Sequence, residues 1–199
     1  MHPFISTMAN MLVIFGLVTY ATKGVSFGAI EPTIPNMVIP KVNGFPTIIL
    51  WAVAAIVIVW FIWNKTTFGK NLYAVGGNPE AAAVSGISVF AVTLGAFVMA
   101  GILYGFGSWL ECARMVGSGS AAYGQGWDMD AIAACVVGGV SFTGGIGKIS
   151  GVVTGVLIFT SLTYSLTILG IDTNLQFIFE GIIILAAVTL DCLKYVQKK

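Results

Sequence analysis

With 199 residues, 57% of them hydrophobic and 9% charged, and a mean hydropathy of +0.96, the chain lies far from soluble proteins, in which roughly 25% of residues are charged. That composition excludes a water-soluble enzyme or binding module and requires an integral membrane protein. Nine basic against eight acidic residues leave a formal charge of +1, which offers no electrostatic footprint for nucleic acid.

The first apolar span covers about residues 4–22, and residues 1–4 carry no basic lead-in, so no cleavable signal peptide is expected. A span that opens directly after His2 and Pro3 leads to the expectation that further sequence precedes it. Residues 23–46 hold four of the six prolines, Pro32, Pro35, Pro40 and Pro46. They predict an ordered but irregular external loop rather than a helix. The second span covers about residues 47–63, with Trp51, Trp60 and Trp63 near its ends, where amphipathic rings prefer the membrane interface.

Residues 76–87 carry a short helix signal between two apolar segments. Asn78 is placed as N-cap, Pro79 fits the first helical position, Glu80 complements the positive end of the helix dipole, and Gly86 offers a left-handed stop. About two turns of helix follow from Pro79 to Ser85, too short to cross a bilayer. The small apolar residues Ala81, Ala82, Ala83 and Val84 fit a groove on a partner, or a packing site on the chain's own bundle.

A third span covers about residues 89–110 and contains Gly101, Gly105 and Gly107. Glu111 and Arg114 at its end have the spacing of an ion pair on one helix face. The apolar stretch 131–147 is short and holds glycines at 138, 139, 144, 145 and 147, which predicts a broken helix. Such glycines either place irregular backbone beside a translocation path or allow close helix packing. A fifth span, about residues 149–169, continues a Gly147-xxx-Gly151-xxx-Gly155 face that lets helices approach closely in lipid. A sixth, about 175–193, contains Glu180 and ends in Lys194, Lys198 and Lys199, with Asp191 and Lys194 again at ion-pair spacing. An ionised Glu180 within the membrane costs about 2.5–3.5 kcal/mol on insertion scales. It therefore faces a wet functional cavity, reaches the outer interface or pairs within the bundle. No internal repeat, low-complexity tract or soluble second domain is evident.

If all six segments cross, one side receives Lys65, Lys70, Lys148, Lys194, Lys198 and Lys199 and the other Lys23, Lys41 and Arg114. The richer side is the cytoplasm by the positive-inside bias, which places residues 76–87 and the C-terminus there. This parity holds only if 131–147 crosses.

Enzyme chemistry is not encoded in a recognisable form. His2 is the one histidine, and neither H-E-x-x-H nor G-x-S-x-G occurs. Gly144-Gly145-Ile146-Gly147-Lys148-Ile149 falls short of a phosphate-binding loop, because Phe142 stands where the first Gly belongs and Ile149 where Ser or Thr belongs. A dinucleotide fingerprint fails at Ser150. Cys112, Cys135 and Cys192 are too widely spaced for a metal site or a disulfide framework. No catalytic residue, cofactor or metal is expected.

Two motifs carry a family resemblance. The segment GKNLYAVGGNPEAAAVSGI, then GQGWDMDAIAACVVGGVSFTGGIG and the closing LDCLKYVQKK, resemble the permease subunit of ABC importers for simple sugars, of the ribose, xylose and galactose type. CVVGGVSF and the LDxLKY ending are most similar to the galactose/methyl-galactoside type. The resemblance covers residues 65–199 strongly and 1–64 more loosely, and such permeases are typically about half as long again, so the chain looks like a C-terminal portion. It implies an all-α polytopic helix bundle of about six membrane segments in the inner membrane, forming one permease domain over 1–199. It implies a homodimer with a second permease copy, driven by cytoplasmic ATPase subunits and fed by a periplasmic or extracellular sugar-binding protein facing residues 23–46. Asn78, Pro79, Glu80, Ala81, Ala82, Ser85 and Gly86 match the coupling helix that docks on the ATPase. Gly138, Gly139, Gly144, Gly145 and Glu180 are the candidates along the path, although such permeases often carry Lys where Glu180 stands. The rival readings are a secondary transporter or channel using Glu180, and a non-transporting remnant.

Overall fold

A computed structural model describes residues 3–26, 28, 35, 38–42, 45–115, 119–120, 122–141 and 143–196. The elements run α1 (Pro3–Thr22), β1 (Lys41–Val42), β2 (Phe45–Pro46), α2 (Ile48–Lys65), α3 (Thr67–Gly77), α4 (Pro79–Val84), α5 (Val89–Arg114), α6 (Trp127–Val137), α7 (Ile149–Ile168) and α8 (Thr173–Val196). They fall into two compact units, one of Met1–Val53 with Ala100–Gln125 and one of Ala54–Met99 with Gly126–Lys199.

Unbroken apolar sequence accounts for the long helices. Within the described residues, Ile5–Thr22 of α1 and the whole of α2, α5 and α7 are long and apolar enough to cross a membrane. Eighteen or more residues at about 1.5 Å each match a hydrocarbon core of about 30 Å. At the expected sixth span α8 runs for 24 residues, and its apolar stretch among the described residues is Leu175–Ala186, shorter than a span. Few side chains are buried, and large apolar residues such as Leu12, Leu17, Ile102, Leu157 and Leu185 face outward. Lipid is as good a solvent for them as a protein core.

The fourth segment differs from expectation. Instead of covering 131–147, α6 opens at Trp127 and stops at Val137, 11 residues in all, about 16 Å and too short to cross. Gly138 is its C-cap and Gly139 follows at φ +82°, a left-handed backbone that ends a helix. A second difference is α3, which forms where no element was expected. Thr66 caps it, its Oγ1 accepting from Gly69 N at 3.3 Å and donating to Ile62 O at 2.6 Å. The chain turns so sharply there that a Cβ on Gly69 would lie 2.0 Å from Trp63 O. Gly76 and Gly77, expected as loop, close this helix.

In the first unit, the described part of the proline-rich segment includes helical backbone at Pro35 and Val38, where a loop without helix was expected. β1 and β2 pair antiparallel, Lys41 opposite Pro46 and Val42 opposite Phe45, a minimal departure from an all-helical chain. Thr47 Oγ1 donates to the carbonyl of the fully buried Val38 at 2.9 Å. Pro32 lies outside the described residues. Trp51 packs edge-on against Phe106 and Trp109, with centroids 6.2 and 5.9 Å away.

The second unit is organised by α6, α7 and α8 around Ala133, Ala134 and Phe159, with Ile183 and Ile184 against them. Gly138 meets Gly151 and Ala134 meets Gly155, so α6 and α7 are antiparallel. Gly126 meets Phe177 and Asp130 meets Glu180, so α6 and α8 run the same way. The short α6 therefore carries the chain in the direction that a complete span would.

Candidate functional site

The short helix forms as its sequence dictates. Asn78 Oδ1 accepts from Ala81 N at 3.0 Å, Pro79 takes the first position and Glu80 the first turn. Ser85 is the C-cap, its Oγ donating to Ala81 O at 2.8 Å. Gly86 at φ +82° donates to Ala83 O and Ile87 N to Ala82 O, each at 3.0 Å, the paired bonds of a left-handed helix stop. Glu80, Ala81 and Ala83 are exposed, and Val84 is 91% exposed. Ala82, expected among the contact residues, is only 4% exposed and faces inward instead.

No flexible linker separates α4 from α3. Asn78 N donates to Ala74 O at 3.1 Å to close α3, while Asn78 O accepts from Ala82 N at 3.0 Å to open α4. The end of α3 then abuts the loop between α6 and α7. A Cβ on Gly76 would lie 2.7 Å from Gly145 N, one on Gly144 2.7 Å from Gly76 O, and one on Gly145 2.6 Å from Gly77 Cα. Gly144 and Gly145 have φ +96° and +71°, conformations that only glycine adopts readily. Tyr73 Oη donates to Gly147 O at 2.7 Å across the same contact.

The loop closes on itself through Ser141 N to Ile146 O at 2.9 Å and a 2.9 Å bond between the hydroxyls of Ser141 and Thr143. Cavities of about 380 and 260 Å³ flank it, both bordered by Tyr73, Gly145, Gly147 and Lys148. Gly138 and Gly139 line the larger. The four glycines Gly138, Gly139, Gly144 and Gly145 thus lie at one junction. Gly138 packs α6 on α7, and the other three take left-handed backbone.

Glu180 lies elsewhere, at the opposite end of α6. It is 7% exposed and lies beside Asp130 in the first turn of α6. Asp130 escaped the sequence reading, and its signal was the Asp128-Met129-Asp130 start of an apolar helix. The Glu111–Arg114 pair forms, with Arg114 Nε 3.1 and 3.0 Å from the two carboxylate oxygens. Tyr123 joins it by donating to Glu111 and accepting from Arg114 at 3.2 Å. The side chains of Asp191 and Lys194 lie outside the described residues, as do Lys198 and Lys199.

A multi-pass helical membrane protein with a capped surface helix tied to a glycine junction fits a transport component, and comparison with known proteins gives the class. Residues 1–188 match the family described as branched-chain amino acid transport system, permease component. The chain belongs to this permease family. It is 54% identical to the galactose/methyl galactoside import permease protein MglC of Treponema pallidum (strain Nichols), over 100% of the chain and 39% of that protein. It is 44% identical to the protein of the same name from Escherichia coli (strain K12), over 99% of the chain and 60% of the relative. The ribose import permease protein RbsC of Bacillus subtilis (strain 168) is 37% identical, over 96% and 60%. The chain thus spans between 39% and 60% of the length of these relatives. No solved structure matches.

Proposed function

We propose that the chain forms part of the permease subunit of an ABC importer that carries a monosaccharide, galactose or methyl galactoside, into the cell. Identity of 44–54% with permeases named for that cargo is the observation that carries the reading. A cytoplasmic ATPase docks on α4 through Glu80, Ala81, Ala83 and the projecting Val84, and supplies the energy. A periplasmic or extracellular sugar-binding protein delivers the sugar at the opposite face, and two permease copies form the homodimer around the path.

Orientation follows from the lysines. The end of α2 with Lys65, the start of α3 with Lys70, and Lys148 before α7 belong to the elements that meet at the glycine junction. The end of α8 joins them, because α8 runs with α6. That end is cytoplasmic by the positive-inside bias, and the C-terminus with it.

Uptake of labelled galactose by cells that express the permease with its ATPase and binding protein tests the reading. Uptake is expected to disappear when any one of the three is left out. Uptake that persists without the ATPase and follows an imposed pH gradient would overturn it in favour of a carrier built on the Asp130–Glu180 pair.

A further inference from the structure

We propose that the contact of Tyr73, Gly76 and Gly77 with Gly144, Gly145 and Gly147 is the transmission joint of the permease, delivering displacement of α4 to the α6–α7 hairpin. The proposal rests on the reading of α4 as the ATPase-docking helix.

Three observations lead to it. First, Asn78 caps both α3 and α4 with its own backbone, so a push on α4 is not absorbed between them. Second, the joint is backbone on backbone. At Gly76, Gly144 and Gly145 an added Cβ would meet main-chain atoms at 2.6–2.7 Å, and main-chain atoms cannot rotate aside as a side chain can. Packed surfaces of this kind shift between discrete arrangements rather than deform continuously. Third, the far side of the joint is equally stiff. Gly138 ends α6, Lys148 begins α7, and a Cβ at Gly138, Gly151 or Gly155 would lie 2.1–2.3 Å from a carbonyl oxygen across the interface.

The hairpin therefore moves as one body. Tyr73 is a positioning residue: its bond to Gly147 O holds α3 in register with the loop. The motion reaches α8 through the cluster of Ala133, Ala134 and Phe159, against which Ile183 and Ile184 pack.

The test uses the permease assembled with its ATPase and binding protein, and compares Tyr73→Phe, Gly145→Ala and Gly105→Ala with the parent. Gly105 of α5 is the control, because it is no part of the joint and a Cβ there meets nothing within 4 Å. Three quantities are read: ATPase co-purification, basal hydrolysis, and sugar taken up per ATP hydrolysed. Tyr73→Phe should keep the first two and lower the third by roughly fivefold, the weight of one ordinary hydrogen bond. Gly145→Ala should lower it further, and Gly105→Ala should match the parent. Hydrogen exchange of the 138–148 amides in the permease alone should rise in Tyr73→Phe, which reports on the joint without any partner. Parental uptake per ATP in Tyr73→Phe and Gly145→Ala overturns the proposal, as does loss of ATPase co-purification in Tyr73→Phe. A parent that binds no ATPase overturns the functional reading and the transmission role with it, whereas unchanged exchange overturns the joint alone.

Discussion

Replacing Gly155 by alanine puts a methyl carbon 2.1 Å from Ala134 O, 2.7 Å from Gly138 N and 2.9 Å from Gly138 Cα. Ordinary van der Waals contact begins near 3.4 Å, so α6 and α7 must separate by more than 1 Å. All three obstacles are main-chain atoms of a helix end, which cannot swing away. Overpacking of this kind costs about 1–3 kcal/mol, and separation also loosens the cluster of Ala133, Ala134 and Phe159. Against that, alanine is favoured over glycine inside a helix by about 0.8–1 kcal/mol. The net expectation is a loss of up to about 2 kcal/mol. Gly105→Ala is the matched control, since a Cβ at Gly105 of α5 meets nothing within 4 Å. It keeps only the propensity gain, so the two variants should move in opposite directions. Unfolding by denaturing detergent from mixed micelles, followed by far-ultraviolet circular dichroism, measures both. Gly155→Ala as stable as the parent, or Gly105→Ala equally destabilised, would refute packing of α6 on α7 through bare backbone.

Two further outcomes are expected. Glu80→Lys replaces a favourable charge in the first turn of α4 with an unfavourable one, worth about 0.3–1 kcal/mol. It should weaken ATPase co-purification and uptake together, and no change in either would count against α4 as the docking helix. The Tyr123 phenol is held above its ordinary value, first by its hydrogen bond to Glu111 and then by burial. The stabilisation linked to that shift is complete below the ordinary value of about 10 and is lost as pH rises through the raised one. In Glu111→Gln, phenolate absorbance should therefore appear at lower pH than in the parent; an unmoved titration would mean that the carboxylate does not hold the phenol.

The apolar spans and α4 were legible because their causes are local. An unbroken run of apolar residues reaches the thickness of a bilayer whatever surrounds it. Asn78, Ser85 and Gly86 make hydrogen bonds within five residues of themselves. By contrast, α3 has only Phe68, Leu72, Tyr73 and Val75 to mark a face, and it is held by partners distant in sequence: Gly95 beneath Phe68 and Gly147 beyond Tyr73.

The glycines show most clearly where local information ends. Gly101, Gly105 and Gly107 look in sequence much like Gly138, Gly144 and Gly145, yet a Cβ on any of the first three meets nothing within 4 Å, while one on any of the others meets backbone within 3 Å. A glycine announces that backbone can come close, not which backbone does. Likewise, the buried Glu180 signalled a need for a partner, but Asp130 was chosen by the parallel course of α6 and α8. By itself the sequence determined a membrane-embedded helical chain with a capped surface helix, since hydropathy and capping act over a few residues. Only the tertiary structure decided that the helix connects to the α6–α7 hairpin, because that connection is a contact between main-chain atoms that carry no side-chain signal.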